Sequence, residues 1–211
     1  LTEAFSPVDG VSPGFDLYKR DVDPTTIDSG RWRTSTIGGQ MRFGVPITDI
    51  DTINYGIGLE RTSLTVFDDS PERFIDFVDE FGKTNSTLLG TIGWSRDSRD
   101  SLLYPTKGRL QRLSLETGLP GGSLRYYKAS YKHEYYWPLS RYYTLMLNGE
   151  VGVGGGLGGK PLPFFKNFFA GGVSSVRGFE PNSLGAKDRE GDPIGGSRRV
   201  VLNAEFYFPF P

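Results

Sequence analysis

The sequence predicts an all-β chain of antiparallel, up-and-down strands with one short helix in a loop. Three observations carry that expectation. Apolar residues recur at every second position over long runs, while helical spacing is nearly absent. Glycine numbers 29 in 211 residues, about twice the usual ~7%, and Phe 15, Tyr 11 and Trp 3 add as many aromatics. Such a composition suits strands that pass close together with rings covering one face, whereas disordered chains are poor in aromatics. Lastly, short turn-like pieces and longer polar links join the runs.

Along the chain, 32–45 is the first run, with Ile37, Met41, Phe43 and Val45 facing outward, and 52–66 follows with Ile53, Tyr55, Ile57 and Leu59. The helix is "SPERFIDFVDEFG" at 70–82. Ser70 is placed to cap it, Pro71 fits its first position, Gly82 ends it, and Phe74, Phe77, Val78 and Phe81 share a face. A weaker run covers 86–97. At 108–119, Leu113, Leu115, Thr117 and Leu119 oppose Arg112, Ser114 and Glu116. At 126–137, Tyr127, Ala129, Tyr131, His133, Tyr135 and Trp137 oppose Lys128, Ser130, Lys132 and Glu134. At 141–153, Tyr143, Leu145, Leu147, Val151 and Val153 oppose Thr144, Met146, Asn148 and Glu150. At 198–210, Val200, Leu202, Ala204, Phe206, Phe208 and Phe210 alternate with Arg199, Asn203, Glu205 and Tyr207.

The short links are "PITDID" (46–51), "LPGGS" (119–123) and "PLSR" (138–141); the longer ones are 67–84, 97–107 and 180–197. Short turns at one end with long loops at the other is the arrangement of a transmembrane barrel. A soluble sandwich also alternates, but its strands run to roughly 5 or 6 residues. Several runs here are long enough to cross a bilayer at a tilt, which takes about 9 to 11 residues. Lys, Arg and Glu in mid-strand suit a wet lumen, and aromatics near the run ends suit interfacial girdles. The residues alone therefore favour the barrel and leave the soluble β-fold open.

Composition narrows the function. A formal net charge of -1 gives no electrostatic reason to expect nucleic acid. With no cysteine and a single histidine, disulfides, thiolate metal sites and histidine-rich metal sites are excluded, and no cofactor is expected. Asp97, Arg99 and Asp100 read as a charged turn rather than a catalytic cluster, and "GVGGGLGG" (152–159) lacks the Lys-Ser/Thr of a phosphate loop. His133 reads as a packed or interfacial side chain, and the chain is not expected to be an enzyme. Both ends, Leu1 and Pro211, are expected to be cut points of a longer protein.

One segment is more specific. "FFKNFFAGGVSSVRGFEPNSLG" (164–185) resembles the loop carrying the Val-Arg-Gly-Phe motif in the BamA family of bacterial outer-membrane assembly factors. TamA, Toc75-like channels and two-partner secretion transporters share a looser form. "FSPVDGVSPG" (5–14), "GWSRDSRDSLLYPTKG" (93–108), "GEVGVGGGLGGKPLPFFKNFF" (149–169) and "RRVVLNAEFYFPFP" (198–211) extend the likeness, in order, over essentially the whole chain.

The resemblance implies that residues 1–211 form an interior part of the barrel, about nine consecutive strands of a 16-stranded wall, without POTRA repeats and without the terminal strands. A lumenal loop is implied at about 170–197. In it, Val176, Arg177, Gly178 and Phe179 form the motif, and Arg177 meets Glu205 on the following strand, with a second acidic partner beyond Pro211. Alternation independently places Glu205 on the polar face. Gly171, Gly172 and Gly178 are expected to let the loop backbone run close to the wall.

By the same resemblance the protein is an insertase of the Gram-negative outer membrane. Its partners are then the lipid bilayer, unfolded β-barrel precursors and, mainly through the POTRA repeats, assembly lipoproteins. The alternatives are a two-partner-secretion-type translocation pore and a soluble ligand-binding β-domain. A partial wall has two bare edges, which invite pairing.

Overall fold

The computed structural model describes residues 10–23 and 32–208. Eight strands and one helix make up the regular structure: β1 (Ser12–Val22), β2 (Trp32–Pro46), β3 (Asp51–Val66), α1 (Glu72–Phe81), β4 (Thr84–Asp97), β5 (Gly108–Leu119), β6 (Tyr126–Pro138), β7 (Thr144–Gly156) and β8 (Arg198–Tyr207). Each strand pairs antiparallel with the next, in a single open sheet ordered as the chain. Among the described residues there are thus eight strands rather than about nine. Residues 5–9 of the amino-terminal matching segment, and Phe210, lie outside the described residues.

Register sorts the side chains as alternation requires. Tyr55, Ile92, Leu115, Ala129 and Val153 form one continuous outward row across five strands. Outward residues are bare, with Leu59 at 66%, Ile92 at 56% and Leu202 at 77% exposure. The opposite face carries the row Thr91, Glu116 and Lys128 and buries Thr34, Thr36, Glu60, Thr62 and Thr87. An apolar outside around a polar inside inverts a water-soluble domain and is what a barrel wall in lipid requires. Tyr135, Trp137, Tyr143 and Phe206 gather at one end of β6 to β8, where Tyr143 stacks on Phe206 at 5.6 Å. No helix among the described residues is long and apolar enough to cross a membrane.

The polar face is concave. Side chains from strands two apart meet on it: Tyr18 on β1 donates to Glu60 on β3 at 2.6 Å, and Gln40 on β2 to Thr91 on β4 at 2.8 Å. In a flat sheet those backbones stand about 9.6 Å apart. Gly38 makes the first contact possible, because a Cβ there would lie 2.6 Å from the Tyr18 ring.

The connections depart from the expected division into short and long ends. In an up-and-down sheet they alternate ends strictly, so 67–83, 119–125 and 157–197 share one end, and 46–51, 97–107 and 138–143 share the other. The short 119–123 turn therefore sits among the long loops, and 97–107 among the short turns. Asp100 explains why 97–107 stays compact: its carboxylate accepts from Thr106 N and Oγ1 and from Lys107 N. The Thr106 hydroxyl is the main reason its pKa is held down to about 2.

The helix forms one residue later than the capping pattern predicts. Pro71 occupies the cap position with no side-chain hydrogen bond, while Ser70 Oγ accepts from Phe67 N. Gly82 closes the helix at φ 80 with its N–H on Val78 O. Phe74, Phe77 and Val78 are buried with Trp32, Leu64, Leu124, Tyr126 and Phe164 in the apolar core, which sits inside the wall at the long-loop end.

Candidate functional site

The connection from β7 to β8 returns across the concave face and is held there at three levels. Isolated bridges Phe168–Gly196, Ala170–Leu184 and Gly172–Val176 make it a narrow ladder whose tip carries the motif. At the tip, Arg177 Nη2 stands 3.1 Å from Glu205 Oε1. Glu205 also accepts from Tyr207 OH at 3.0 Å, and Asn203 Nδ2 donates to Ser175 O at 3.0 Å. Glu205 lies seven residues into the wall from Arg198, roughly 23 Å along the strand. The loop enters at one end of the sheet and its arginine is delivered almost to the other. Val176 is half-buried, while Arg177 and Phe179 are exposed.

The loop glycines act differently from the expectation. A Cβ at Gly171 would meet Glu180 O at 2.3 Å, and at Gly172 it would meet Pro181, so both allow the loop to fold on itself. Gly178 has open space around it and needs glycine only for its φ of +86.

The close approach to the wall occurs at the second level, and the glycine that permits it belongs to the wall. A Cβ on Gly152 of β7 would lie 2.5 Å from the Phe168 ring. Lys128 Nζ sits over that ring at 4.4 Å, and the Arg199 guanidinium lies 5.4 Å from its centroid. Arg199 pairs with Glu150 and donates to Phe169 O at 2.7 Å. Gly152→Val should therefore lift Phe168 off the wall, at an overpacking cost of about 1–3 kcal/mol. The thermal midpoint of the folded barrel reads this. A midpoint equal to the parent's would mean that the ring does not lie there.

At the third level, where the loop leaves β7, a 3-10 turn at Phe164–Lys166 places Phe164 in the apolar core and Lys166 between Glu60 and Glu116. Asn167 Nδ2 donates to Ile194 O at 2.9 Å and ties the outgoing limb to the returning one. Alternation puts Lys128, Arg199 and Asn203 on the polar face without assigning their contacts to the loop, and it does not single out Lys166 or Ser175. One signal was available for Lys166: a lone ammonium amid four phenylalanines in "FFKNFF" needs a partner.

The other singled-out residues are structural. Arg99 donates to both Asp97 oxygens, at 2.9 and 2.7 Å. Among the described residues no group of His, Cys, Asp and Glu could hold a metal ion. "GVGGGLGG" is the end of β7 and the turn after it. His133 faces outward beside Tyr131, their ring centroids 6.3 Å apart.

Residues 2–211 match the Omp85 superfamily domain, and the chain belongs to that superfamily. Over its whole length it is 39% identical to the outer membrane protein assembly factor BamA of Neisseria meningitidis serogroup B, of which it covers 28%. Over 54% of its length it is 31% identical to the sorting and assembly machinery component 50 homolog of Mus musculus, covering 24% of that protein. Its fold matches the crystal structure of BamA from Haemophilus ducreyi lacking POTRA domains 1–3, with a TM-score of 0.91 at 24% identity, over 99% of this chain and 44% of that one. The chain thus spans about a quarter of the length of the Neisseria and mouse relatives.

Proposed function

We propose that the chain is an interior portion of the barrel of an outer-membrane β-barrel assembly factor. The whole protein folds and inserts β-barrel precursors into the outer membrane of a Gram-negative bacterium, without covalent chemistry. Its partners are the lipid bilayer, the unfolded precursors and, through POTRA repeats, assembly lipoproteins. The observation that carries the reading is the loop 157–197 held against the concave wall through Arg177 and Glu205. The relatives' names, assembly factor and assembly machinery component, support it.

In this reading the apolar outside seats the wall in lipid and the loop braces it from within. Strand edges elsewhere in the full barrel open and pair with incoming strands by β-augmentation. A brace is useful there because a wall that opens at one seam must stay rigid elsewhere. A translocation pore is the less favoured reading, because the relatives are named for assembly. The test is Glu205→Gln in the full-length protein as the cell's sole copy. An exposed pair contributes up to about 1 kcal/mol, so the docked loop should be disfavoured by up to about five-fold and assembled client levels should fall. Unchanged client levels would remove the brace.

A further inference from the structure

One ammonium at the root of the loop connects four strands. Lys166 Nζ stands 2.6 Å from Glu116 Oε1 on β5 and 3.5 Å from Glu60 Oε2 on β3. The Lys166 side chain is 13% exposed and that of Glu60 is 4% exposed. Each carboxylate is also held by a tyrosine: Tyr18 on β1 donates to Glu60, and Tyr126 on β6 donates to Glu116, both at 2.6 Å. Arg20 approaches Glu60 from the rim at 3.7 Å, with its own side chain 60% exposed. Lys166 is therefore the shielded cation that these two carboxylates share.

The geometry constrains where the lysine can be. Phe164, two residues earlier in the same turn, is buried in the apolar core, so the loop root has two attachments, one aromatic and one ionic. Removing the ammonium would leave Glu60, its side chain 4% exposed, facing the solvated Arg20 at 3.7 Å, and Glu116, 32% exposed, opposite Lys128 on the next strand; a shielded carboxylate that loses its nearest buried cation is destabilised.

We propose that Lys166 is a positioning residue: shared between Glu60 and Glu116, it fixes where the loop enters the concave face and so whether Arg177 reaches Glu205. This rests on the brace proposed above and gives it a second anchor, remote from the tip. The competing account is that the aromatic core alone holds the root.

The test uses the full-length protein in its own outer membrane, freed of other cysteines, with Ser175→Cys and Asn203→Cys placed where loop and wall touch. Oxidative cross-linking is scored on the folded, heat-modifiable band only. Lys166→Met keeps the stem and removes the charge, and should lower the cross-link on the order of ten-fold, as the loss of one charge-assisted hydrogen bond would. Lys166→Arg should retain it. Lys166→Glu should lose it, and Lys166→Glu with Glu116→Lys should regain it. A Met variant that cross-links like the parent would overturn the proposal in favour of the aromatic core, as would a swap no better than Lys166→Glu alone. If Lys166→Glu yields no folded band, the Met and Arg variants decide. Client levels are scored in parallel: a lost cross-link with clients intact keeps the anchor and removes the brace.

Discussion

Arg177→Glu should undock the tip of the loop by roughly thirty-fold. Arg177 is largely solvated, its side chain 69% exposed against 24% for Glu205, so a water-like dielectric applies. At that separation a charge pair is then worth about 1 kcal/mol, and reversing one sign swings it by about 2. What remains at the tip is the bond from Asn203 to Ser175 O, a neutral hydrogen bond of about 1 kcal/mol net. It cannot offset the reversal. The double exchange, Arg177→Glu with Glu205→Arg, should restore docking, and Arg177→Lys should fall between because an ammonium lacks the planar fork. Raising salt should weaken the parent's docking and ease the defect of Arg177→Glu, since an exposed pair is screened. The Ser175–Asn203 cross-link reads all four. If the exchange cross-links no better than Arg177→Glu alone, the pair does not hold the tip.

The wall was legible in the sequence because its physics is local. A period of two over a dozen residues needs no knowledge of neighbours, and outward Ile57, Leu115 and Val151 were assigned from it alone. β1 escaped because its outward positions after Phe15 and Leu17 are Lys19 and Asp21, which pair with Ile37 and Ser35 near the long-loop end. Two apolar residues do not make a pattern. Which end each connection occupies was misjudged because loop length was used where only counting strands suffices.

The loop was legible only by likeness. Its residues have no period, and its contacts join positions far apart: Lys166 to Glu60, Arg199 to Phe169 and Asn203 to Ser175. Glu205 is the exception, since alternation placed it on the inner face, although only the resemblance paired it with Arg177. The glycines show the same limit. Gly178 stands in the motif with open space where a Cβ would be, whereas Gly152, hidden in an ordinary strand, leaves room for the Phe168 ring of the loop.

Phe164→Ala should cost about 3–5 kcal/mol, more than any change in the motif itself. Phe164 is 2% exposed and is the ring on which α1 and β2 converge. It stacks on Phe74 of α1 at 4.2 Å and meets Phe77 of the same helix at 5.5 Å. It also presents an edge-on contact at 5.7 Å to Trp32 of β2. A cavity there cannot close easily, because β2 is fixed by its ladder to β3 and Phe164 itself starts the turn that places Lys166. The helix should therefore loosen first, then the loop root, while the outer sheet keeps its pairing. Phe179, 53% exposed, provides the control: Phe179→Ala should change stability by no more than about 0.5 kcal/mol. Thermal unfolding of the purified full-length barrel, with limited proteolysis at 67–83, separates the two. Early cleavage in that connection with a lowered midpoint is the expected result for Phe164→Ala. A midpoint matching that of Phe179→Ala would mean that the helix and the loop root are held by their charges and backbone bonds, and the aromatic cluster would lose its role as the joint between wall, helix and loop.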